Sequence, residues 1–183
     1  MSPTAPLLLD RRDCALLVVD VQEKLLPHIH EGERVRDSIV RLVRFAEILG
    51  IPVLAAEQGK LGPTVGPIRE ALQGVEPAPK LAFSALGCPA ISQRLAELGK
   101  GALIVTGIEA HICVAQTVLQ ALPSFAVHVV ADAVGSRSPE NCRIALDRLR
   151  GAGAVVTTSE MLMYELMVEA GTDEFRRVLP LVK

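Results

Sequence analysis

Aromatic residues are scarce: the 183-residue chain contains no tryptophan, one tyrosine and four phenylalanines. Its core must therefore be built from Ala, Val, Leu and Ile, which suits parallel strands covered by helices on both faces. An excess of one charge sign is also missing. Nineteen Lys and Arg against 21 Asp and Glu leave a formal net charge of −2, without the basic footprint of a nucleic-acid or anionic-membrane binder. No apolar run approaches the ~20 residues of a spanning helix. The first ten residues lack a basic stretch followed by a long apolar one, so no signal peptide is expected and a cytoplasmic location is the simplest reading. The four cysteines, Cys14, Cys88, Cys113 and Cys142, lie far apart with no Cys-x-x-Cys. That argues against a disulfide framework or a zinc knuckle. A P-loop and a Gly-x-Ser-x-Gly elbow are absent, and Gly151-Ala-Gly153 follows a helix and precedes a strand, the wrong order for a dinucleotide fingerprint. The four histidines form no zincin pattern: His28 and His30 read as exposed loop residues and His128 as a structural residue within a strand.

What the chain does contain is half apolar residues arranged in alternating short β-branched runs and helical periodicities. Strands are predicted at 14–19, 53–56, 80–83, 102–105, 126–131 and 154–157. Helices are predicted at 38–49, 68–72, 89–98, from 113 onward, at 139–150, at 159–168 and at 172–179. This alternation predicts an α/β fold, a parallel sheet with helices on both faces and right-handed crossovers. One domain is expected over 1–183, with 1–13 as a lead-in.

The stretch 102–119 organises the rest. A buried run ends at Thr106-Gly107, and after a few residues Cys113 opens a helical pattern through Val114, Val118, Leu119 and Leu122. A thiol in the first turn of a helix sits beside unpaired backbone N–H groups and the positive end of the dipole, which favours thiolate. Equally, free cysteine is a common small core residue. In open α/β sheets ligands bind beyond the carboxyl ends of the strands, and Asp20, Lys80 and Cys113 all fall at or just past such ends. Asp20 could simply terminate a strand and Lys80 be a solvated loop charge. Together, however, a carboxylate could take the thiol proton and an ammonium could hold the thiolate and polarise substrate.

At these residues the chain resembles the isochorismatase-like cysteine hydrolases, a superfamily that includes nicotinamidases and N-carbamoylsarcosine amidases. The likeness is carried by Leu16-Leu-Val-Val-Asp20-Val-Gln22, by Pro79-Lys80-Leu-Ala-Phe83-Ser84-Ala85, and by Thr106-Gly107-Ile-Glu109-Ala-His111-Ile-Cys113-Val114. The wording of the last motif is nearest to isochorismatase-domain-containing proteins of unsettled substrate. The resemblance implies a three-layer Rossmann-like fold with a six-stranded sheet of order 3-2-1-4-5-6, which places Asp20 and Cys113 at the switch-point crevice. It implies a Cys113 nucleophile, an Asp20 base and a Lys80 cation acting on a small amide, carbamoyl or ester-like substrate through a thioester-type intermediate. It also implies a cis peptide at Ile108–Glu109, with the N–H groups of Glu109 and Cys113 forming the oxyanion hole. Metal-binding relatives carry an Asp-x-His pair after the second strand. Here that region reads Ala56-Glu57-Gln58-Gly59-Lys60, so no catalytic metal and no cofactor are expected. Gln22, Gln58, Phe83 and His111 are candidate substrate contacts, with Arg137 a further one. Family members are commonly homo-oligomeric, and self-association is expected. The alternative is an oligomeric binding or regulatory protein of the same fold whose site is idle.

Overall fold

In the computed structural model, which describes residues 8–182, strand β1 (Cys14–Val19) is buried along its entire length. A strand apolar on both faces needs a covering layer on each side, and β1 lies inside a six-stranded sheet of order β3-β2-β1-β4-β5-β6. The other strands are β2 (Val53–Gln58), β3 (Ala78–Lys80), β4 (Ala102–Ile108), β5 (Ala126–Gly135) and β6 (Val155–Thr157), all paired in parallel. Period-two alternation sorts the core. Leu16 and Val18 pack with helices α1 (Gly32–Leu49), α2 (Gly66–Leu72), α6 (Ser159–Met167) and α7 (Asp173–Val182). Ala15, Leu17 and Val19 point the other way, toward α3 (Pro89–Leu98), α4 (Ala115–Ala121) and α5 (Pro139–Gly151). The expected α/β class, its three layers and its strand order are all present.

Several boundaries differ from the sequence expectation, each for a local reason. Helix α1 begins at Gly32 rather than 38 because its first two turns carry Glu33, Arg34, Arg36 and Asp37 outward, leaving Val35 as their only buried apolar side chain. Strand β3 ends at Lys80 instead of beginning there, and the chain then leaves the sheet with Leu81 and Phe83 exposed. Strand β4 runs through Thr106-Gly107 to Ile108. Gly107 makes that possible: its φ is +122°, and a Cβ there would lie 2.1 Å from the Val19 carbonyl oxygen. Strand β5 continues past 131 to Gly135, and Asp132 lies inside it. Between the pairs Val105–Val129 and Gly107–Val134, β4 advances two residues while β5 advances five, so a bulge absorbs the polar interruption. Of the predicted lead-in, residues 1–7 lie outside the described residues, and Arg11–Asp13 form a 3₁₀ turn capped by Asp10.

Candidate active site

The carboxyl ends of β1, β3 and β4 converge. Asp20 follows β1 directly, with φ +55° and its N–H donated to the Ala56 carbonyl at 3.0 Å. Asp is among the residues that tolerate this left-handed backbone conformation. Lys80, the last residue of β3, lies in register with Gln58 of β2 and reaches across that strand. Its Nζ is 2.6 Å from Asp20 Oδ2, and both side chains are fully buried. The same ammonium donates to Gln58 Oε1 at 2.8 Å and is within 3.1 Å of the Ala82 and Phe83 carbonyls. An ammonium has three protons, so four acceptors leave it no capacity for a substrate. These bonds tie Asp20 and the 81–83 segment together.

The nucleophile segment follows Gly107. The Ile108–Glu109 peptide is cis. Residues Ala110–Val114 form a π-helical turn, in which the Val114 N–H bonds the Glu109 carbonyl at 3.2 Å and the Ala115 N–H bonds that of Ala110. The helical structure thus starts three residues before Cys113. Cys113 still falls within the first turn, where backbone N–H groups lack intrahelical partners, but the residue is only 7% exposed. Burial, and after it the charge and hydrogen-bonding influence of Asp20, push the Cys113 thiol up to about 12, outweighing the nearby Lys80 cation. Desolvation beside a carboxylate thus opposes the cues in the sequence that favour thiolate. Asp20 lies above the ordinary carboxylate range, chiefly through burial, with Lys80 opposing. Its Oδ2 is taken by Lys80, whereas its Oδ1 is buried and has no hydrogen-bond partner. The thiol influences Asp20 as a neighbouring donor without closing a hydrogen bond of good geometry to Oδ1. One acceptor oxygen of the site is thus left unengaged.

Around this centre, the Gln22 amide donates to the Gln58 and Gly62 carbonyls and accepts the Gln58 N–H. The Gln58 amide joins Lys80 to the Leu81 carbonyl. Both glutamines are thus engaged with protein. Phe83 is 55% exposed, while its carbonyl serves Lys80. His111 Nδ1 lies 2.9 Å from Ser136 Oγ. The Glu109 carboxylate accepts from both the backbone N–H and Nε of Arg137, at 3.1 and 3.0 Å. Burial tends to raise Glu109, but Arg137's hydrogen bonds and charge prevail and hold it below the ordinary carboxylate range. The last two pairs join the nucleophile loop to the end of β5. Sequence reasoning missed Thr117: its hydroxyl donates to the Cys113 carbonyl at 2.7 Å and accepts the Ala85 N–H at 2.8 Å. A buried threonine four residues after the nucleophile is a back-bonding signal, but its second partner is invisible in one dimension. Where relatives carry metal ligands, Glu57 instead accepts from the N–H and hydroxyl of Thr64. Among the described residues no three His, Cys, Asp or Glu side chains cluster as metal ligands. The residues present do not fit such an ion.

Comparison with known proteins identifies the family and the fold. The isochorismatase domain family model matches residues 14–161. Isochorismatase domain-containing protein 2 of Macaca fascicularis is 36% identical over 172 residues, 92% of this chain and 82% of that protein. The structure of MAR1 ribonuclease from Caenorhabditis elegans superposes with a TM-score of 0.89 at 35% identity, covering 95% of this chain and 91% of that one. YcaC from Pseudomonas aeruginosa, determined with hexane-2,5-diol and covalent acrylamide, gives a TM-score of 0.89 at 25% identity over 98% and 93% of the two chains.

Proposed function

The chain belongs to the isochorismatase family, and from that membership we propose that it is a metal-independent cysteine hydrolase acting on a small amide, carbamoyl or ester-like substrate. One observation carries the reading: the buried Asp20–Lys80 pair with Asp20 Oδ1 unengaged beside a neutral Cys113 thiol. In the proposed reaction Asp20 Oδ1 takes the thiol proton as Sγ attacks the substrate carbonyl carbon, so that no free thiolate accumulates. The Glu109 and Cys113 N–H groups would receive the developing oxyanion. Collapse breaks the bond to the leaving amine or alkoxide, which accepts the proton from Asp20 and leaves a thioester on Cys113. Water then attacks the thioester and gives its proton to Asp20, and the thiol is restored as the acid product departs. Lys80 keeps Asp20 ionised between steps, because a raised carboxyl without its cation would stay protonated. Acrylamide, an electrophile attacked at its alkene, is covalent on the P. aeruginosa relative and supports a reactive nucleophile on the shared fold.

Gln22 and Gln58 are assigned positioning roles here, since their amides hold the loops that carry Lys80. Phe83, His111 and Arg137 are left to meet the substrate at the mouth. We also infer self-association, supported by the exposed apolar row Met161, Tyr164 and Val168 along and just beyond α6. The test of function is a panel of primary amides, N-carbamoyl acids and esters, with a short RNA included because of the nematode relative's name. Turnover of an amide, carbamate or ester, abolished by Cys113→Ala and accompanied by a mass increase on Cys113, is the expected result. No turnover and no adduct would favour the idle, binding-protein reading. RNA cleavage abolished by Cys113→Ala would replace the carbonyl substrate with a phosphodiester.

A further inference from the structure

The amino ends of the strands, at the opposite pole from Asp20 and Cys113, border a cavity. It measures about 610 Å³ and lies between the starts of β4 and β5, strand β6 and helix α6, within the size range of small-molecule sites. His128 of β5 lines it and is only 7% exposed. Among the described residues its ring makes no hydrogen bond, and Nδ1 is sealed from solvent without a partner. A buried ring nitrogen without a partner is unusual, and nothing in the proposed hydrolysis employs it.

The rest of the lining narrows the occupant. It includes three carboxylates, Asp10, Asp13 and Glu165, and no lysine or arginine. Asp10 is already consumed by Arg12 at 2.7 Å. Glu165 Oε1 accepts the Leu9 N–H at 2.8 Å, and its Oε2 takes no hydrogen bond from any described residue. Burial keeps His128 below its ordinary range even with Glu165 nearby, and an uncharged imidazole offers one acceptor nitrogen. Val127, Val155, Val156 and Met161 supply apolar wall. An anion would face only carboxylates, whereas a cation with N–H donors meets both an acceptor and an unengaged carboxylate oxygen.

We propose that this cavity is a binding site for a small primary amine with a compact apolar body, the ammonium held by His128 and Glu165 and the hydrocarbon by the valine and methionine wall. The site is independent of the catalytic reading. The probe is cyclohexylamine, compared at low salt with the isosteric cyclohexanol and cyclohexanecarboxylate, on the full chain. Binding is read by calorimetry and by the ring resonances of His128. The expected result is saturable binding of the amine that shifts His128, with the carboxylate weakest. Glu165→Gln can still accept the Leu9 N–H and should weaken the amine about tenfold, the scale of one lost charge-assisted hydrogen bond. Cys113→Ala should leave amine binding unchanged. Carboxylate binding as tight as the amine, saturation by none of the three, an unmoved His128, or unchanged affinity in Glu165→Gln would each overturn the proposal.

Discussion

Lys80→Met keeps the length of the side chain and removes only its charge and donors, which isolates the role of the buried ion pair. In the native protein Nζ is 2.6 Å from Asp20 Oδ2, with neither side chain exposed. It also serves Gln58 Oε1 and two carbonyls. Breaking a buried pair by deleting one partner strands the other charge, and the cost is about 3–5 kcal/mol. For a chain of this size, about 2–4 °C of Tm accompanies each kcal/mol, so the midpoint should fall by about 6–20 °C. The loss should depend on pH with a definite sign. Asp20 already lies above the ordinary carboxylate range in the folded state, and removing its cation raises it further. A raised folded value means that the folded form holds its proton more tightly than the unfolded one. The associated stability is present below the ordinary carboxylate pKa and is lost as pH rises through the folded value. Lys80→Met should therefore be least destabilised in acid and most destabilised near neutrality. Asp20→Asn combined with Lys80→Met removes both charges and should recover about 2 kcal/mol of the single variant's loss. Urea unfolding at several pH values, with unchanged m, is the assay. A cost under about 1 kcal/mol, the scale of an exposed pair, or a double variant no more stable than the single one, would refute a dry ion pair.

Iodoacetamide labelling of Cys113 should rise with pH without a plateau between about pH 5 and 9, because the thiol is pushed up to about 12; an inflection near neutrality would contradict the neutral resting thiol. Folding stability should decline as pH rises from about 9 toward 12, since buried Cys14 and Cys113 both have raised folded values of about 12 and the unfolded thiols ionise first; a flat Tm over that range would count against it. Gly107→Ala places a Cβ 2.1 Å from the Val19 carbonyl oxygen and 2.6 Å from its nitrogen, at φ +122°. Both atoms are backbone, so a loss above about 4 kcal/mol and little soluble protein are expected; a variant within about 1 kcal/mol of the parent would show that β1 and β4 can separate there.

The layers were legible because they follow from periodicity. The continuous apolar run of β1 and the 3.6-residue pattern of α1 are local properties of the chain, and right-handed crossovers leave few topologies. The candidate site was legible in its residue types and strand-end positions: Asp20, Lys80 and Cys113 lie where β1, β3 and the segment after β4 end. Boundaries failed where burial had a non-local cause. The charged start of α1 conceals a helix packed through Gly32 and Val35. Asp132 looked like a strand terminus because its partner lies in another element, where Ser159 donates to it through both its N–H and its hydroxyl.

Ionisation was the least legible property of the site. A sequence places a thiol near a helix start and a lysine near a strand end, and both cues favour thiolate. It does not show that the lysine's donors are already consumed by Asp20, Gln58 and the carbonyls of residues 82 and 83. Nor does it show that the thiol is buried against a carboxylate. On the proposed mechanism the ammonium neutralises Asp20, and Asp20 with its unengaged Oδ1 is the group that activates Cys113. On that reading lysine acts on cysteine chiefly through the aspartate. Lys80→Met and Asp20→Asn should accordingly impair Cys113 through the same loss of base, so their effects on hydrolysis should be strongly non-additive. If the two losses multiply instead, Lys80 acts on the thiol or the substrate directly, and the relay through Asp20 is wrong.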